Sequence, residues 1–92
     1  MIKSFAEKQT RALFETEMSR RWNSIARVAV RKLVQIDSVT TLDELNAPPG
    51  NRLEALKGDR AGFHSIRISD RWRICFRWER DGVYDVEIVD YH

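Results

Sequence analysis

The chain has 92 residues, of which 42% are hydrophobic and 33% charged, with a formal net charge of +2. One domain over residues 1–92 is expected, with a modest core and little room for a deep pocket. A single cysteine and two histidines exclude an internal disulfide and argue against a zinc centre, so neither metal nor cofactor is expected.

No apolar run approaches the roughly 20 residues of a membrane span. The opening Met1-Ile2-Lys3-Ser4-Phe5 lacks the apolar region of a signal peptide, so a cytoplasmic protein without membrane association is expected. Those residues read as a short strand or extended arm. Residues 7–17 read as a first helix with Leu13 and Phe14 turned inward. Residues 22–37 are the clearest helix: Trp22, Ile25, Ala29, Leu33 and Ile36 recur at helical spacing, and Ala26, Val30 and Val34 widen the stripe. Arg20, Arg21, Arg27, Arg31 and Lys32 are assigned to the opposite, solvated side. Thr41-Leu42-Asp43-Glu44 has the spacing of a capping box. Ala47-Pro48-Pro49-Gly50-Asn51 then interrupts regular structure.

From Arg52 onward the period changes to two. Leu53 and Ala55 share one side of a short strand. His64, Ile66 and Ile68 face one way, opposite Phe63, Ser65 and Arg67. Trp72, Ile74, Phe76 and Trp78 alternate with Arg71, Arg73, Cys75 and Arg77. Asp81-Gly82 signals a hairpin, after which Tyr84, Val86 and Ile88 form the inward row of a last strand that runs to the end of the chain. Tight turns between these segments predict an antiparallel meander, and the order of elements predicts an α+β fold: two N-terminal helices packed on the apolar face of a curved, mainly antiparallel sheet.

The other face of that sheet carries the chemistry. Between Arg52 and Arg77 seven basic residues, six of them arginine, oppose three acidic ones. Arginine's planar fork suits phosphate groups. Arg67 and Arg73 converge on this face, with Lys57 and Arg60 beside it. No phosphate-binding glycine loop or nucleophile elbow is present. His64 belongs to the apolar row and reads as a packed core histidine. His92 and Glu54 are the groups suited to moving protons. Cleavage of RNA by attack of a ribose 2′-hydroxyl needs a base, an acid and cations around the phosphate. The sequence holds all three, while spacing alone leaves their arrangement open.

Six segments stand in order along the chain: Met1-Ile2-Lys3-Ser4-Phe5, Pro48-Pro49-Gly50-Asn51-Arg52-Leu53-Glu54, Leu56-Lys57-Gly58-Asp59-Arg60-Ala61-Gly62, Ser65-Ile66-Arg67-Ile68, Trp72-Arg73-Ile74-Cys75-Phe76 and Val86-Glu87-Ile88-Val89-Asp90-Tyr91-His92. In this series the chain resembles the HigB toxins of the RelE/ParE superfamily. The resemblance implies a RelE-like fold and a toxin that cuts mRNA in the ribosomal A site by metal-free acid–base chemistry. It implies that Asp90, Tyr91 and His92 match the family's functional C-terminal triplet, that Arg73 stabilises the phosphate, and that Lys57 and Arg60 line the site's rim. Some members have a histidine where this chain has Glu54, and related RelE-type toxins use a glutamate as general base.

The resemblance further implies a HigA-type helix-turn-helix antitoxin partner, with operator DNA contacted only through that antitoxin. On this reading the ribosomal 30S A site and its mRNA are the other partner, and Arg27, Arg31 and Lys32 are candidate RNA contacts together with Arg67. The alternative is a growth inhibitor that acts by binding, either to DNA gyrase in the manner of ParE or to the ribosome.

Overall fold

Residues 1–90 are described by a computed structural model. Helix α1 spans Lys8–Thr16 and α2 spans Ala26–Ser38. Four strands follow, β1 (Glu54–Ala55), β2 (Phe63–Arg67), β3 (Trp72–Glu79) and β4 (Gly82–Asp90). They form one sheet in the order β1-β2-β3-β4, and each neighbouring pair is antiparallel. The α+β arrangement expected from the sequence is the one observed.

The helices start and stop for local reasons. The Glu7 carboxylate accepts the amides of Gln9 and Thr10, at 3.0 and 2.8 Å, and so satisfies two of the donors that a helix start leaves unpaired. The left-handed Glu17 (φ 62°) ends α1 by donating its amide to Leu13. The helical spacing places the start of the second helix at Trp22, but α2 begins at Ala26. Trp22 sits in the preceding turn, where Ser19 Oγ accepts its amide, and its ring is nonetheless buried. The capping box is present: the Glu44 carboxylate accepts the amides of Thr40 and Thr41 at the head of a short 3₁₀ turn, Leu42–Asn46.

The core lies between the helices and one face of the sheet. Leu13, Ala29, Leu33 and Ile36 from the helices meet Ile66, Ile74, Phe76, Val83 and Val86 from the strands, and all are fully buried. Burying a side chain of this size contributes about 1.5–3 kcal/mol, which explains why the apolar periodicity was readable.

One expected row is corrected. Tyr84 does not continue the inward line of Val86 and Ile88; Val83 takes that place. Between the pairs Cys75↔Glu87 and Arg77↔Tyr84 the register shifts, with one residue on β3 facing two on β4. Asp85 occupies the bulge with φ 55°. An extra residue reverses the alternation beyond it. Tyr84 therefore lies with Arg77, whose guanidinium carbon is 4.9 Å from the tyrosine ring centre.

The first residues form the expected arm, and they run parallel to β4 through bridges Ile2↔Val83 and Phe5↔Val86. Lys3 and Ala6 donate to Val83 and Val86 at 2.7 and 2.9 Å. Ser4 Oγ accepts the Asp85 amide, and Thr10 Oγ1 accepts that of Ile88. The free edge of β4 is thus covered along much of its length. Gly82 lies where the arm crosses the hairpin, and a Cβ there would be 2.9 Å from the Met1 carbonyl oxygen.

Candidate functional site

The face of the sheet turned away from the helices carries a row that crosses all four strands. Glu54 pairs with Ser65, Ser65 with Cys75, and Cys75 with Glu87. Residues directly opposite in antiparallel strands share a face. The row therefore begins and ends in a carboxylate, and each carboxylate meets an arginine. Arg73 Nη2 is 3.3 Å from Glu54 Oε1, and Arg60 Nη2 is 3.7 Å from Glu87 Oε1.

Arg73 is fixed more firmly than an outward arginine need be. It is only 4% exposed. Nε donates to Ser65 Oγ at 2.9 Å, and Nη2 donates to the Arg52 carbonyl at 2.6 Å and to the Ser65 carbonyl at 3.3 Å. Arg52, just before the first strand, and Glu54, at its start, thus both meet the guanidinium. The face therefore carries a positioned guanidinium charge. Arg60 lies over the Phe63 ring at 4.7 Å while it reaches Glu87. Cys75 is buried between them. Burial pushes its thiol pKa up, with Arg60 opposing that shift, so it is a packed thiol rather than a nucleophile.

The other expected site residues distribute unevenly. Lys57 is exposed at the head of the short turn Gly58–Arg60. Arg67 pairs directly across from Arg73 and bonds Asp70. Asp90 ends β4 opposite Trp72, where Arg71 donates to its Oδ2 through both Nε (3.0 Å) and Nη2 (2.8 Å). That bond and the charge beside it raise the Arg71 pKa. Tyr91 and His92 lie outside the described residues. Arg27 and Arg31 are exposed on α2, as expected.

Lys32 departs from its expected place on the solvated side of that helix. It is 8% exposed, and its Nζ donates to Asn51 Oδ1. Asn51 is fully buried, and its Nδ2 donates to the Leu45 and Ala47 carbonyls and to Gln35 Oε1. The buried amide supplies the acceptor that lets a lysine enter the packed side of α2. Lys32 thus ties the helix to the segment that carries Arg52 and Glu54.

Glu87, Ser65 and Asn51 belong to the arrangement but were not singled out from the sequence. The alternation already placed Ser65 and Glu87 on the face of Arg73. For Asn51 local pattern gave no signal beyond its place in a segment that carries the resemblance, since an asparagine after Pro-Pro-Gly reads as an exposed turn residue. Among the described residues there is no group of three or more histidine, cysteine or acidic side chains placed to hold a metal ion, and no helix is long and apolar enough to cross a membrane.

The family model described as a RelE-like toxin of type II toxin–antitoxin system HigB matches residues 3–92. Toxin HigB-1 of Vibrio cholerae is 34% identical over 94 residues, covering 100% of this chain and 98% of that protein. Endoribonuclease HigB of Proteus vulgaris is 37% identical over 94 residues, covering 100% of both. Among solved structures, a YoeB/ParE toxin from Agrobacterium tumefaciens superposes with a TM-score of 0.56 at 21% identity, over 98% of this chain and 99% of that one. A YoeB–YefM complex from Staphylococcus aureus contains a chain that matches with a TM-score of 0.56 at 14% identity, over 100% of this chain and 98% of that one. At these identities the two structures share the fold.

Proposed function

The chain belongs to the HigB-like family of type II toxins, and from that premise we propose that it is an endoribonuclease that cuts mRNA in the A site of the ribosome. The observation that carries this reading is the pairing of a buried, fixed Arg73 with the accessible carboxylate of Glu54. A permanent cation held in place stabilises the charge that builds on a phosphate in the transition state. A carboxylate beside it takes the proton of the ribose 2′-hydroxyl, which attacks the adjacent phosphate. His92 returns a proton to the departing 5′-oxygen, and the products are a 2′,3′-cyclic phosphate and a free 5′-hydroxyl. Asp90 and Tyr91 orient the nucleotide beside that acid. Lys57, Arg60 and Arg67 line the approach, and Arg27 and Arg31 contact ribosomal RNA. The chemistry needs no metal, because base, acid and cation are all side chains.

A dependence on the ribosome is supported by the need for alignment: orientation of reacting groups is worth about 7–11 kcal/mol in favourable cases. The ribosome is the natural source of that alignment, and it places the toxin in the cytoplasm. As a type II toxin it is countered by a protein antitoxin. A helix-turn-helix protein of HigA type, through which the pair contacts operator DNA, is the form proposed here.

The test is cleavage of a defined message on translating ribosomes by the native chain, His92→Ala and Glu54→Gln. Cuts confined to the A-site codon and reduced roughly 10²–10⁴-fold in each variant are expected for acid–base catalysis. Growth arrest in cells without cuts would instead identify a toxin that acts by binding.

A further inference from the structure

A cavity of about 360 Å³ opens between α2 and the turn that follows Pro48, lined by Arg31, Lys32, Gln35, Pro48 and Asn51. We propose that this notch is a second phosphate subsite, which holds a backbone phosphate of RNA away from the cleavage site. The proposal rests on the RNA-cutting reading above and adds a site to it.

The charge balance points to an anion. Among the described residues no carboxylate forms an ion pair with Arg31 or Lys32. Lys32 is buried, and an ammonium has three N–H donors, of which Asn51 Oδ1 takes one. Burial, then the neighbouring Arg31 and Arg67, push the lysine's pKa down. Lys32 therefore feels two further cations, and among the described residues only Arg67 of the three has an ion-pair partner, Asp70, which is fully exposed. Burying a cation without a counter-charge is costly. If Asn51 needed only a tether, a neutral donor would serve it without that cost.

The remaining walls fit the same ligand. Both ends of the Gln35 amide are engaged, Nε2 with the Ala47 carbonyl and Oε1 with Asn51, so recognition falls to the two cations. Pro48 gives an apolar wall suited to a ribose. A cavity of this volume takes a phosphodiester with its sugar, and no carboxylate lines it to repel one.

The test titrates inorganic phosphate into the full chain and follows backbone amide signals. A saturable shift centred on Asn51 and Lys32 is expected, lost in Arg31→Glu and kept in Lys8→Glu, whose lysine lies on α1 and does not line the cavity. Acetate at equal ionic strength should not reproduce it. In a second arm, ribosome binding is measured against salt. The slope of log affinity on log salt should fall by about one unit in Arg31→Glu, the signature of one lost phosphate contact.

An unchanged phosphate response in Arg31→Glu, no saturable shift in the native chain, or an equal response to acetate would each overturn the proposal. The last would point to a carboxylate-bearing protein ligand. A normal phosphate response and salt slope without mRNA cleavage would leave the notch standing while the nuclease reading fell.

Discussion

Arg73 approaches Glu54 from beneath, with 3.3 Å between Nη2 and Oε1, and the two differ sharply in access: the arginine side chain is 5% exposed and the glutamate 48%. The cation belongs to the framework and the carboxylate to the surface. Their contributions to folding and to chemistry separate accordingly.

Glu54→Gln should leave the fold almost unchanged. An ion pair this exposed on one side is worth at most about 1 kcal/mol, and the amide keeps the shape. Cleavage on ribosomes should fall roughly 10²–10⁴-fold. Thermal melting and a cleavage assay on the same preparation check both halves, and full activity in the variant would remove Glu54 as base.

Arg73→Lys should fail in both respects. A lysine keeps the charge but cannot bond Ser65 Oγ and the Arg52 carbonyl in the arginine's fork geometry. Loss of a charged hydrogen bond costs about 1.5–3 kcal/mol. Denaturant unfolding should show a loss of that size, with cleavage abolished at temperatures where the variant remains folded.

Asn51→Ala strands the Lys32 ammonium and takes a donor from the Leu45 and Ala47 carbonyls. Each buried group left unsatisfied costs about 1–3 kcal/mol. Melting should drop accordingly, and amide exchange should rise first in the segment 45–54, because that segment is what the asparagine holds to α2.

His64 stacks on Phe76 with ring centres 6.1 Å apart, and burial lowers its pKa below the ordinary 6.5. The unfolded chain then binds a proton before the folded one does. Stability from this residue is complete above pH 6.5 and is lost as pH falls from there toward the depressed folded value. His64→Phe should flatten that part of the profile of melting temperature against pH. An identical slope below pH 6.5 in native and variant would show that the histidine is not responsible.

The residues that were legible in the sequence are those whose position follows from one local rule. Ile66, Ile74 and Phe76 are buried where a period of two puts them, and Leu33 and Ile36 where a helix puts them. Tyr84 was misplaced because a bulge at Asp85, which is not a glycine and carries no turn signal of its own, reverses the alternation. Lys32 was misplaced because charge suggested solvent, although its position three after Ala29 and four before Ile36 lies on the buried stripe. Arg73 was placed on the correct face, but its burial depends on a distant segment folding over it. Of the proposed site, the alternation brought Arg67 and Arg73 to one surface; the approach of Glu54 to Arg73 and the Lys32–Asn51 tether needed three dimensions.

The arm along β4 also sets an order of events in the protein's own synthesis. The bond from Asp85 to Ser4 joins positions 81 apart. Contacts of such separation form late, because a long loop must close before they repay its entropy. A growing chain that still lacks β4 keeps the contacts of its first residues with Asp37 and Phe14, but has no strand for the arm to pair with and no Glu87 to complete the row across the sheet. The row that runs from Glu54 to Glu87 is therefore finished only when β4 joins the sheet.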